Sequence, residues 1–256
     1  MQENEFPREV SLVLSGGAAK GAYHLGIIDV LQKKGVVIKA ISGTSIGAII
    51  GAAVASGKKA DEIFTIITSK EYKRVFKVYL KKGALFRIDM QAPILKKLIP
   101  YDTFEELQIP LTVCLTDICA VEAYYVSSGN LRDMVLASSS ISPLLPPVKI
   151  DGTLYSDGGL VDNFPVEKLK KFSYPIVGVN LYANNRQVPT TILGWLRKNI
   201  RVAWQHKNYE KATMCNYYFS NVLLDNISAY SFSGIEKAYR IGQKDMEQFL
   251  ASKHII

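Results

Sequence analysis

The chain has 256 residues, 48% of them hydrophobic and 21% charged, and a formal net charge of +8. That length suits one large domain with a substantial core, and no window approaches the roughly 18 uncharged apolar residues of a membrane-spanning helix. The basic balance favours anionic partners; in the absence of a nucleic-acid-binding motif it points to a lipid surface or an anionic substrate and away from RNA and DNA.

The first residues, 1–9, are polar and acidic, without the basic start and apolar stretch of a secretory signal, so a cytoplasmic protein is expected. A strand over 10–15 leads into the turn Gly16-Gly17-Ala18-Ala19-Lys20-Gly21, followed by a helix over 21–33. A second strand, 37–42, leads into Gly43-Thr44-Ser45-Ile46-Gly47 and a small-residue helix over 45–56. Lysine and aromatic residues interleave over 70–82, which reads as a lid or membrane-facing element, or equally as a solvated amphipathic helix. Further strands are expected over 110–116, 122–127, 153–156, 175–181 and 216–221, and helices over 131–138, 166–170, 191–207 and 233–251. The last-but-one helix sets apolar residues, among them Trp195 and Trp204, opposite three basic ones, a pattern read as core packing. Strands alternating with helices imply an α/β fold, a mostly parallel sheet covered on both faces, as a single domain over 1–256. Ligands bind off the carboxyl ends of such strands, where both glycine-rich turns would lie.

Cys114, Cys119 and Cys215 are scattered, supporting neither a disulfide framework nor a zinc site. Gly43 and Gly47 flank Ser45 as in a nucleophile elbow, a sharp strand-to-helix turn that lifts a hydroxyl above the sheet. The earlier glycine turn lacks the serine or threonine a Walker loop needs after Lys20 and the second glycine of a dinucleotide fingerprint, where Ala18 stands. Its amides suit a transient oxyanion near a serine. A serine needs a base. His24 lies one turn into the first helix and reads as structural, and His254 falls in a frayed tail. His206 sits in a basic helix with no motif around it, yet it alone could complete a Ser-Asp-His order. Asp157, in Tyr155-Ser156-Asp157-Gly158-Gly159, is the better partner, although Asp-Gly-Gly alone also makes a tight turn.

These residues resemble the patatin-like phospholipase family. The likeness rests on Gly16 to Gly21, the elbow around Ser45, Asp157-Gly158-Gly159 with Asn163 and Pro165 after it, and the segments Ala137 to Pro143 and Pro146 to Val148. It extends to 230–251, so it covers nearly the whole chain, with a motif-bearing part over about 10–170 and a C-terminal completion over 171–256. The resemblance implies a three-layer α/β/α patatin-like fold and a Ser45-Asp157 dyad without metal or cofactor. It also implies an oxyanion hole from Gly16, Gly17 and Ala18, with Lys20, Gly21, Gly43, Gly47, Gly158 and Gly159 in support. Many members carry a third glycine where Ala18 stands, and arginine where Lys20 stands; alanine keeps the amide if its φ is negative or the strain is tolerated. The implied activity is hydrolysis of fatty acyl esters of phospholipids or lysophospholipids, with peripheral contact to an anionic membrane. Two other readings remain open: acyl transfer or thioester cleavage on carrier-linked acyl groups, and a catalytically silent lipid-binding protein.

Overall fold

The computed structural model describes residues 5–81, 83–89, 92–183, 188–227 and 234–252. His254, Lys82 and the expected helix start at Ser233 lie outside them, as do the side chains of Trp204 and His206. The chain opens as a βαβα unit: β1 (Glu9–Leu14), α1 (Ala22–Lys33), β2 (Val37–Thr44) and α2 (Ile46–Ala55). It continues through α3 (Ala60–Thr68), α4 (Lys70–Lys73), β3 (Phe76–Lys81), β4 (Ala84–Ile88) and α5 (Pro93–Leu98) before returning to the sheet as β5 (Leu111–Asp117). Then come β6 (Glu122–Val126), α6 (Leu131–Ser138), β7 (Val148–Ile150), β8 (Thr153–Asp157), β9 (Ile176–Val179), α7 (Ile192–Ala212), β10 (Tyr217–Phe219) and α8 (Ile235–Ser252).

Among the described residues the main sheet has eight strands in the order β10-β9-β1-β2-β5-β8-β7, with β6 also on β5. The run from β10 to β5 is parallel, and β6, β7 and β8 pair antiparallel. This is the expected α/β architecture, a mixed sheet whose strands are mostly parallel. Alternation along β1 divides the core in two. Leu12 and Leu14 join the large cluster containing α1, α2 and α8, whereas Val13 faces a smaller one with Ala40, Phe164, Val166 and Leu169. Helices and the 166–169 turn therefore cover opposite faces of the sheet.

One arrangement decides where chemistry can occur. β6 occupies one edge of β5 from Val113 to Asp117, so β2 and β8 must share the other edge. β2 runs parallel to β5 and ends with Thr44 beside Cys114, while β8 runs antiparallel and ends with Asp157 beside Leu115. The two strands thus meet head-on, and the residues that follow Thr44 and close β8 are driven together.

Some expected elements differ. The interleaved segment from residue 70 is helical only as far as Lys73 and then forms an antiparallel hairpin, β3–β4. Alternation of Phe76, Val78 and Leu80 with Lys77, Tyr79 and Lys81 has the strand period, and β-branched and aromatic residues favour that conformation. The expected 166–170 helix is a 3-10 turn over Val166–Leu169, and the 191–207 helix runs on to Ala212. Trp195, expected in the core, is 48% exposed. Among the described residues no helix is long and apolar enough to cross a membrane.

Candidate active site

β2 ends in a forced turn. Ser45 has φ 56° and ψ −124°, outside the regions an L-residue ordinarily occupies, immediately before α2 begins at Ile46. The turn is possible because its flanking glycines pack backbone on backbone: a Cβ on Gly47 would lie 2.2 Å from the Leu14 carbonyl oxygen, and one on Gly43 would lie 2.6 Å from Gly47. Ser138, the last residue of α6, bridges the elbow to the sheet by donating its hydroxyl to the Cys114 carbonyl at 2.7 Å and accepting the Ser45 N–H at 2.9 Å.

Asp157 reaches the same point from β8. Its Oδ2 accepts the Ser45 hydroxyl at 2.6 Å and its Oδ1 accepts the Gly159 N–H at 2.8 Å. Its N–H donates to the Ser140 carbonyl, and its own carbonyl accepts from Thr116 Oγ1. Gly158 follows where no side chain fits, since a Cβ there would sit 2.2 Å from the Cys114 carbonyl oxygen. Burial pushes the Asp157 carboxyl up to about 6, against the opposing pull of the bonds from Ser45 and Gly159.

The glycine turn after β1 closes the site from a third side. Gly16 lies against Ser45, and its N–H donates to Asn163 Oδ1 at 3.1 Å. This amide, expected among the oxyanion donors, is already engaged. Among the described residues the amides of Gly17 and Ala18 make no hydrogen bond. Ala18 has φ 50°, so the left-handed strain that a third glycine would avoid is tolerated here. Lys20 is buried, pairs with Asp225 at 3.8 Å and stands over the Tyr182 ring at 4.9 Å, tying the turn to the C-terminal part of the chain. Gly21 packs against Ile46 at the start of α2.

His24 is fully buried, with Nε2 2.9 Å from the Ser15 carbonyl, and burial lowers its pKa to about 4. It braces the turn and does not approach the serine. The 158–165 loop runs back beside β2, where Thr44 Oγ1 donates to the Asp162 carbonyl and Ser42 Oγ to the Pro165 carbonyl. The Asp162 carboxylate in turn holds Tyr125 and Lys211, both at 2.7 Å.

Ser45 and Ala18 open into a cavity of about 420 Å³ whose other walls are almost wholly apolar, among them Ile49, Leu98, Val135, Leu145 and Phe86. A pocket of this kind suits a hydrocarbon chain. Among the described residues no group of His, Cys, Asp and Glu could hold a metal ion. Ser45, Asp157 and the glycine turns, all visible in the sequence, are brought by the structure to one place. The sequence did not expose the role of Ser138 and Ser140, although both stand in the segment Ala137 to Pro143 that carries part of the family likeness.

The family model for patatin-like phospholipases matches residues 12–170, a span that contains every one of these groups. The chain belongs to the patatin-like phospholipase family. Within that family it is 30% identical over 174 residues to an uncharacterised NTE family protein of Mycobacterium tuberculosis, the match covering 67% of this chain and 46% of that one. It is 32% identical over 184 residues to lysophospholipase nte1 of Emericella nidulans, covering 66% of this chain and 12% of the fungal protein. The chain therefore spans less than half the length of either relative. Among solved structures, VipD from Legionella pneumophila superposes with a TM-score of 0.57 at 17% identity, covering 96% of this chain and 67% of that one, a likeness of fold.

Proposed function

We propose that this patatin-like protein is a lipid acyl hydrolase of phospholipase A or lysophospholipase type, working through a Ser45-Asp157 dyad. The observation that carries the reading is the 2.6 Å bond from the Ser45 hydroxyl to the Asp157 carboxylate in the wall of an apolar cavity. A carboxyl with pKa about 6 is ionised at neutral pH and basic enough to take a proton as the hydroxyl attacks. Membership of the family and the likeness to a fungal lysophospholipase support a lipid ester as substrate.

In the reaction Asp157 Oδ2 accepts the Ser45 proton as Oγ adds to the ester carbonyl, whose acyl chain lies in the cavity. The Gly17 and Ala18 amides stabilise the oxyanion; removing one such donor typically costs about 3 to 4 kcal/mol. The tetrahedral intermediate collapses, Asp157 returns its proton to the leaving alcohol, and acyl-Ser45 remains. Water, deprotonated by Asp157, then releases the fatty acid. Ser138 and Asn163 are positioning residues, holding the elbow and the glycine turn respectively.

The test is labelling by a fluorophosphonate probe alongside fatty-acid release from phospholipid and lysophospholipid vesicles. Wild type is expected to label and release fatty acid, Ser45→Ala and Asp157→Asn to do neither, and His206→Ala to do both. Loss of both signals in His206→Ala with a normal circular dichroism spectrum would replace the dyad by a triad. Acyl groups recovered on an added alcohol or thiol acceptor, with no free fatty acid, would make the enzyme a transferase.

A further inference from the structure

We propose that the β3–β4 hairpin is the face by which this protein docks on an anionic bilayer, its apolar tip entering the lipid and its basic residues lying among the headgroups. The proposal rests on the reading of the cavity as an acyl-chain site. The hairpin is two-sided. Phe76 pairs with Ile88 and Val78 with Phe86 on one face, while Lys77 pairs with Arg87 on the other. Phe76, Phe86 and Ile88 line the cavity that holds Ser45. The same face continues outward beyond the cavity to Val78, 70% exposed; Leu80, 69% exposed, lies near the tip, and Leu85, 43% exposed, alternates to the face of Arg87.

Among the described residues the hairpin's backbone is tied to the rest of the chain at its root and one edge: Asp89 N–H donates to the Val75 carbonyl, and the Leu85 and Phe86 N–H groups donate to the carbonyls of Pro143 and Leu144. Among the described residues it joins no other strand. A lone two-stranded ribbon with large aliphatic side chains turned outward is poorly supported in water. Leu80 adds to this, because it is held at φ 46°, where a leucine gains nothing locally to offset the strain.

Charge selects the occupant. Residues 70–88 carry seven basic side chains and one acidic one, most of the chain's formal +8. Lys70, Lys73, Arg74, Lys77 and Arg87 are exposed around the apolar strip. Aliphatic residues rimmed by cations match a negatively charged lipid surface, where each lysine or arginine adds attraction and the apolar tip adds burial. Because Phe76, Phe86 and Ile88 of that face line the cavity, docking by the hairpin would bring the cavity wall to the bilayer that supplies the acyl chain.

The experiment is co-sedimentation with vesicles of phosphatidylcholine alone and of phosphatidylcholine with phosphatidylglycerol. It compares wild type, Ser45→Ala, the double variant Val78→Asp with Leu80→Asp, and the double variant Lys77→Glu with Arg87→Glu. Wild type and Ser45→Ala are expected to bind the anionic vesicles alike, and less well as salt rises. Each double variant should bind about tenfold more weakly or worse while keeping its rate on a soluble short-chain ester, which needs no docking. Unchanged binding by both double variants would overturn the proposal, as would equal binding of wild type to neutral and anionic vesicles. So would a change of oligomeric state in either variant, by light scattering, without loss of vesicle binding. Hairpin-dependent binding without fatty-acid release would leave the docking face standing and remove the hydrolase reading.

Discussion

Replacing Asp157 with asparagine should end turnover and make the protein more stable at neutral pH. Burial raises this carboxyl from 3.8 to about 6. A tenfold weakening of an acid is worth about 1.4 kcal/mol, so holding the group ionised above pH 6 costs the native state about 3 kcal/mol relative to the unfolded chain. The native form binds the proton more tightly than the unfolded one. Stability from this group is therefore complete below about pH 3.8 and is lost as pH rises through the window up to about 6. Asparagine carries no charge at any pH. It keeps an oxygen for the Gly159 N–H and can donate to Ser45 Oγ, and the charge-assisted bonds it gives up are already counted in the value of about 6. The gain of about 3 kcal/mol corresponds to a rise in melting temperature of about 6 to 12 °C for a chain of this size. Thermal melts of both proteins between pH 4 and pH 8 would measure it, with the gain present at pH 8 and gone at pH 4. A difference that stays at zero throughout, or that grows toward acid, would refute the argument that the carboxylate is held at an electrostatic penalty.

Other substitutions test neighbouring parts of the site. Ser138→Ala removes the bridge from the Cys114 carbonyl to the Ser45 N–H; kcat on a soluble ester should fall by about ten- to a hundredfold with KM little changed, as for a displaced nucleophile. Gly158→Ala places a Cβ 2.2 Å from a fixed carbonyl oxygen, so it should destabilise by at least the 1 to 3 kcal/mol typical of overpacking, read as a lower melting temperature. The pH profile of kcat/KM should rise through about 6 as Asp157 ionises. His24→Ala should leave that rise in place while lowering stability by about 2 kcal/mol or more, since the ring is buried and bonded to Ser15.

The legible parts of this fold were those whose signal is local. β1, β2 and α2 are readable to within a residue or two, because largely apolar runs and a small-residue helix leave few alternatives. The hairpin is only partly so, since lysines and aromatics spaced over 70–82 fit a helical stripe and a strand alternation about equally. What decides is the contact of Phe76, Phe86 and Ile88 with a cavity formed by distant segments. Ser138 and Asn163 stand in segments that carry the family likeness, but their roles became visible only through long-range pairing: one acts on a residue 93 positions away and the other on one 147 away. The engagement of the Gly16 amide is of the same kind, for a run of glycines announces available N–H groups without saying which are already taken.

In the reaction proposed above, the head-on meeting of β2 and β8 would let the sheet itself hold the base, with no histidine needed. Asp157 is an in-register residue of the sheet, and its position is fixed by Thr116 Oγ1 on its carbonyl, by its own N–H on the Ser140 carbonyl, and by Ser156 Oγ on that same carbonyl. A slip of one residue in β8 would turn the carboxylate to the opposite face of the sheet, so these three bonds set the direction of the base as well as its distance. Ser45 is fixed independently by its forced turn and by Ser138. With Ser45 and Asp157 both placed at the edge of β5, the short contact between them belongs to the resting protein, and the cavity side is left to the segments that line it: the glycine turn, α6 and the hairpin.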